Sequence, residues 1–129
     1  TVSGSAVHIF EVSGIESSVF SIKGNLSTSK GTATYNGATY KKCLKIESEG
    51  KMTIAFTPSE DMTLILVFGT TKNRATIKIN GESVDAQVLD DATTTAILTF
   101  EVEAGVEYTL TRNGVESHLF YMELVPKEQ

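Results

Sequence analysis

Between Thr109 and Leu124 the chain reads as two strands joined at Asn113-Gly114, and this wording fixes the fold class more tightly than any other stretch. Asn-Gly readily takes the positive φ angles that a two-residue β-turn needs. After the turn, side chains alternate: His118, Phe120, Met122 and Leu124 fall on one face, and Leu119, Tyr121 and Glu123 on the other. The same grammar recurs along the chain. Short apolar-alternating runs cover 7–12, 19–23, 32–35, 40–48, 51–57, 62–68, 74–80, 83–89, 96–102, 107–112 and 115–125. They are punctuated by turn signals at Gly24-Asn25, Asn36-Gly37, Glu49-Gly50, Pro58 to Asp61, Asn80-Gly81 and Ala104-Gly105. No segment carries a capped helical stripe. The pattern predicts an all-β antiparallel β-sandwich of jelly-roll type.

The alternation also predicts the core. Leu44 and Ile46 point inward, as do Met52, Ile54, Phe56, Leu64, Leu66, Phe68, Ile77 and Ile79. Leu98, Phe100, Val102, Leu110, Phe120, Met122 and Leu124 complete the set. Ile65 and Val67 make both faces of their strand apolar. A covered central strand, an overlying loop or a neighbouring domain would each account for that.

With 129 residues the chain is long enough for one domain with a substantial core. Its abrupt start, Thr1-Val2-Ser3, is expected of a domain cut from a longer multidomain polypeptide. Apolar runs are of strand length, so no membrane helix is expected. A net charge of −5 argues against a general nucleic-acid binder. The single cysteine, Cys43, forms no internal disulfide and reads as a small buried hydrophobe.

Catalytic constellations are poorly served. His8 and His118 are the only candidate bases, and Ser117 beside His118 points to the opposite face of a strand. The paired carboxylates, Glu101 with Glu103 and Glu47 with Glu49, read as solvated strand positions rather than two acids facing across a cleft. Two histidines and one cysteine make no zinc signature. Asp90-Asp91 beside Thr93 to Thr95 offers oxygen ligands of the kind calcium takes, with a plain acidic turn as the other reading. Neither a cofactor nor enzymatic activity is expected.

The cations are more informative. Lys41, Lys42 and Lys45 form one cluster and Lys72, Arg74 and Lys78 another, while acids gather at Glu60-Asp61, at Asp90-Asp91 and from Glu101 to Glu107. Lys42 is ambiguous: parity with Leu44 turns it inward, unless a bulge redirects it or the strand begins after it. Asn73 and Arg74 follow Phe68-Gly69 in a loop of the sort that carries recognition.

In wording, the chain resembles the C-terminal non-catalytic β-sandwich module of secreted bacterial pectate lyases. The resemblance rests on Asn25 to Gly31 (Asn-Leu-Ser-Thr-Ser-Lys-Gly), Thr34 to Gly37, Cys43 to Ser48 (Cys-Leu-Lys-Ile-Glu-Ser), Leu64 to Phe68, Ile77 to Gly81 and the closing strand ending at Leu124. It implies a carbohydrate-binding domain, secreted or at the bacterial cell surface or periplasm, covalently joined to a pectin-degrading catalytic domain. The implied ligand is an acidic polysaccharide, homogalacturonan. Lys30, Lys45 and Arg112 match the basic positions of that module's wording, and with Lys42, Asn73 and Arg74 they form the predicted ligand-binding set. The chain lacks tryptophan, so a flat aromatic platform is not on offer. Arginine forks and lysine point charges suit a carboxylate on every sugar. The Lys72 to Arg74 loop is shorter than the module's wording leads one to expect. The competing expectation is a docking domain that packs on its catalytic partner through the Ile65/Val67 face.

Overall fold

The structure, a computed structural model, describes residues 6–17, 20–28, 32–35, 37–46, 52–69, 76–85, 87–90, 95–112 and 117–126. Fourteen strands and one helical turn occur among them. In chain order they are β1 (Ala6–Ile9), α1 (Phe10–Ser13), β2 (Ser21–Lys23), β3 (Asn25–Ser27), β4 (Ala33–Tyr35), β5 (Ala38–Tyr40), β6 (Cys43–Ile46) and β7 (Thr53–Phe56). There follow β8 (Met62–Gly69), β9 (Thr76–Ile79), β10 (Glu82–Asp85), β11 (Gln87–Asp90), β12 (Thr95–Val102), β13 (Tyr108–Thr111) and β14 (Ser117–Pro126).

Two antiparallel sheets face each other. The larger runs β11-β12-β8-β14-β6-β3, with β1 also paired to β14; the smaller runs β10-β9-β13-β7-β2. The chain crosses from sheet to sheet at most connections, including β6 to β7, β7 to β8, β8 to β9, β12 to β13 and β13 to β14. This is the jelly-roll sandwich expected from the alternation. The β4–β5 hairpin forms a separate two-stranded ribbon.

The main core lies between the sheets. Leu44, Ile46, Met52, Ile54, Phe56, Leu64, Leu66, Phe68, Ile77, Ile79, Leu98, Val102, Leu110, Met122 and Leu124 are buried there as parity requires, with Phe100 packed at its margin. Burying each contributes roughly 1.5–3 kcal/mol. Aromatic rings join the layers: Phe20 meets Phe56 edge-on at 5.4 Å, and Phe56 stacks on Tyr108 at 5.6 Å. The Tyr108 hydroxyl, which burial would otherwise isolate, accepts the Glu103 amide at 2.8 Å.

A second, smaller cluster lies on the outer face of the large sheet: Ala33, Cys43, Val67, Phe120 and Tyr121, with Ile9, Tyr40 and Ile97 against it. It accounts for the apolar outer side of Val67, while Ile65 on the same face is half-buried outside the cluster. Val67 is wholly buried by the chain's own residues, Ala33 of β4 and Tyr40 of β5 among the cluster, so it is not open to a docking partner. Cys43 is buried in the same cluster.

Four expectations need correction. Phe120 faces outward, because the pairing of β14 with β8 slips between Leu119 and Tyr121. That bulge puts Leu119 into the main core and Phe120 with Tyr121 into the outer cluster. Residues 10–13 make a helical turn where a strand running to residue 12 was expected. It buries Phe10, while Glu11 Oε1 accepts the backbone amide of Lys41 at 2.7 Å. Asn113-Gly114 lies outside the described residues, and the strands flanking it belong to opposite sheets rather than forming a hairpin pair: β13 pairs with β7 and β9, and β14 with β6, β8 and β1. The run from 83 to 89 likewise divides, into β10 of one sheet and β11 of the other.

Candidate functional site

β6 presents Leu44 and Ile46 to the core and therefore turns Cys43 and Lys45 to the outer face of the large sheet. Lys45 is partly buried and engages a neighbour within the fold. Its register partners are Asn25 on β3 and His118 on β14, and His118 is in turn opposite Gly69 on β8. Directly opposed residues of antiparallel strands share a face. Asn25, Lys45, His118 and Gly69 thus form one row across four strands.

The inner end of this row is filled. A Cβ built on Gly69 would lie 2.5 Å from Phe120 Cε1 and 3.3 Å from the Thr32 carbonyl oxygen. The ring of the bulged Phe120 therefore rests on the bare backbone of Gly69, with Thr32 passing over it. His118 is 7% exposed and Phe120 is wholly buried. The outer end is open, since Asn25 is exposed on the last strand of the sheet.

Segments distant in sequence meet at this end of the sandwich. β8 ends at Gly69 and β9 begins at Thr76, so the connection bearing Asn73 and Arg74 departs from the row itself. Ser117, the first residue of β14, pairs with Ile46 beside Lys45. The connection that delivers β14 leaves β13 at Thr111, immediately before Arg112. Arg112 is partly buried, its Nε is shielded from solvent, and it too engages a neighbour. Thr32 over Gly69 lies two positions beyond Lys30 in the chain. Lys30, Asn73 and Arg74 themselves lie outside the described residues, as do Asp91 to Thr94, the calcium candidates next to Asp90.

Lys42 stands apart. β6 begins after it, at Cys43, which resolves its parity without a bulge. It lies beyond the opposite end of β6 from Ile46, next to Lys41 and its bond to Glu11, and about 10 Å along the strand direction from Lys45.

Sequence reading had no means of placing Asn25 in the row. Gly24-Asn25 reads as a turn, and cross-strand register leaves no local trace. His118, expected on the face of Met122 and Leu124, is buried instead on the outer face of the central strand β14, between Lys45 and Gly69. His8 is on the other side of the sheet, its Nε2 donating to the Gly14 carbonyl at 2.7 Å and its ring against Phe10. The two histidines that would have to serve a nucleophile are thus both packed into the fold. Among the described residues no group of three or more His, Cys, Asp or Glu side chains could hold a metal ion, and no helix is long and apolar enough to cross a membrane.

The family model for carbohydrate binding module 77 matches residues 4–122. A chain solved in work on the Ruminococcus flavefaciens cellulosome, and on its expansion in glycan recognition, is 39% identical. It superposes with a TM-score of 0.80 over 99% of this chain and 98% of that one. A family 35 carbohydrate binding module from Clostridium thermocellum has a TM-score of 0.52 at 19% identity, over 95% of this chain and 99% of that one. The Podospora anserina β-(1,4)-mannanase that includes a family 35 module gives 0.54 at 14% identity, over 98% of this chain and 28% of that one. These last two likenesses show the sandwich fold alone. Among curated proteins none matches the chain.

Proposed function

The chain belongs to carbohydrate-binding module family 77, a non-catalytic domain type, and we propose that its ligand is an acidic plant polysaccharide, de-esterified homogalacturonan. Supporting this is the meeting of cation-bearing segments at one end of the sandwich. Lys45 stands in the row that includes Gly69, β8 ends and β14 begins at that row, and Arg112 follows β13 at the same end of the facing sheet; Lys30, Asn73 and Arg74 lie outside the described residues. A polymer with a carboxylate on each sugar offers repeated partners to such a group, arginine pairing through its planar fork and lysine as a point charge. Lys42, just before the start of β6, would reach only a more distant sugar.

In the parent protein the module tethers a pectin-degrading lyase to its substrate, raising local concentration without taking part in bond cleavage. Such a role is extracellular, in keeping with the likeness to a cellulosome chain. The test is an affinity gel or calorimetric titration against polygalacturonate, highly methylated pectin and a neutral glucan, with and without chelator. Polygalacturonate alone should bind, chelator should not matter, and Lys45→Ala should weaken binding about tenfold, the scale of one charge-assisted hydrogen bond. Equal retention by the neutral glucan would refute the acidic assignment.

A further inference from the structure

We propose that Asn25 is the specificity-determining residue beside Lys45, reading sugar hydroxyls while the lysine reads the carboxylate. This rests on the acidic-ligand reading above and adds to it the residue that tells one polyuronate from another.

The row of opposed residues leads to it. A sugar whose carboxylate meets Lys45 has two neighbours along the row, one strand away on each side, roughly 5 Å distant. On the inner side stands His118, 7% exposed, backed by Gly69 under the Phe120 ring and the Thr32 carbonyl. That side is a wall. On the outer side stands Asn25, exposed, on the same face and in direct register with Lys45. Among the described residues β3 is the last strand of the sheet on this side. Along the row, the sugar's next polar contact is therefore the Asn25 amide.

The two side chains recognise different things. An ammonium is a compact charge that meets any carboxylate, whatever the sugar that bears it. A carboxamide offers two N–H donors and a carbonyl acceptor, a directional set that fits vicinal hydroxyls in one configuration and misfits in another. A site that pairs with hydroxyls discriminates strongly against sugars that leave those groups unmatched. Neighbouring Asn and Lys thus separate charge recognition from configuration recognition.

Asn25 lies on an exposed sheet edge, so its truncation leaves the core untouched. Titrations of wild type, Asn25→Ala, Asn25→Asp and Lys45→Ala should use polygalacturonate and alginate, two 1,4-linked polyuronates with the same charge per sugar but different hydroxyl configurations. For Asn25→Ala the expected result is a five- to tenfold loss on polygalacturonate, under twofold change on alginate, and an unaltered dependence on salt. Lys45→Ala should weaken both ligands and flatten the salt dependence by about one counterion. Asn25→Asp should lose more than the alanine variant, and the excess should shrink as salt rises. Full affinity in Asn25→Ala with a loss in Lys45→Ala would overturn the role of Asn25 alone. So would equal losses on both polymers. Full affinity in Lys45→Ala would overturn the acidic-ligand site itself.

Discussion

Gly69 shows how much one missing side chain decides. It ends the eight-residue strand β8, and its open face receives the ring of Phe120, the residue that the β14 bulge turns outward. An alanine there would place its methyl 2.5 Å from a carbon of the wholly buried Phe120 ring, so one of the two must shift. Gly69→Ala should therefore cost about 1–3 kcal/mol, the usual penalty of overpacking. It should appear as a lowered urea midpoint with unchanged slope, and Phe120→Leu in the same chain should recover part of the loss, a coupling that a double-mutant cycle measures. At this scale the sequence was read well wherever strict alternation held. Fifteen inward residues from Leu44 to Leu124 are buried between the sheets as parity demands. It failed at Phe120, because one extra residue in a strand reverses the meaning of every earlier assignment while leaving the composition unchanged. Asn25 and His118 illustrate the same limit: their common row depends on pairing between strands far apart in sequence.

Turns were legible when the residues that make them are self-sufficient. Asn80 has φ 52° and Gly81 φ 86°, joining Ile79 of β9 to Glu82 of β10 by the mirror-image turn that Asn-Gly favours. The Asn80 side chain then extends the sheet: Oδ1 accepts the Thr109 amide at 2.9 Å and Nδ2 donates to the Glu107 carbonyl at 3.2 Å. Its own backbone amide donates to the Thr109 carbonyl at 2.9 Å. One asparagine thus fixes both the hairpin and its seam with β13. Asn80→Ala loses two side-chain bonds and keeps a Cβ in the left-handed region, for an expected cost of about 2 kcal/mol. Asn80→Gly keeps the turn and should lose about half as much; equal destabilisation by both, in thermal melts, would remove the conformational part of the argument. Asn113-Gly114 carries the same letters, yet the strands on either side belong to different sheets. Asn-Gly wording alone does not settle whether the flanking strands pair; the packing of those strands does. The 83–89 run misled for a similar reason, since a continuous β-rich stretch does not reveal that the chain leaves one sheet and joins the other.

Across the whole molecule the two ends of the sandwich differ in charge, which reconciles an acidic chain with an acidic ligand. β8 begins at Met62 opposite Val102 and ends at Gly69 opposite Thr95. Glu60, Asp61, Glu101, Glu103 and Glu107 cluster around the first end, where Ala104 donates to Asp61 at 3.1 Å and Gly105 to the Pro58 carbonyl at 2.8 Å. Lys45, Lys78 and Arg112 belong to the second, together with Asp85 opposite Thr76 and Asp90 opposite Thr95, so that end is the less acidic of the two among the described residues. Seven strand steps separate the ends, roughly 23 Å. At 0.15 M ionic strength the screening length is about 8 Å, so the acids contribute almost nothing to the field over Lys45. At 0.01 M it lengthens to about 30 Å and their repulsion reaches the ligand. A variant with Glu101, Glu103 and Glu107 replaced by glutamine should accordingly bind polygalacturonate within twofold of wild type at 0.15 M, and measurably tighter and faster at 0.01 M. All three side chains are exposed, so the substitutions leave the core intact. A large gain already present at 0.15 M would mean that the polymer lies along the acidic end, and the site at Lys45 would then be misplaced.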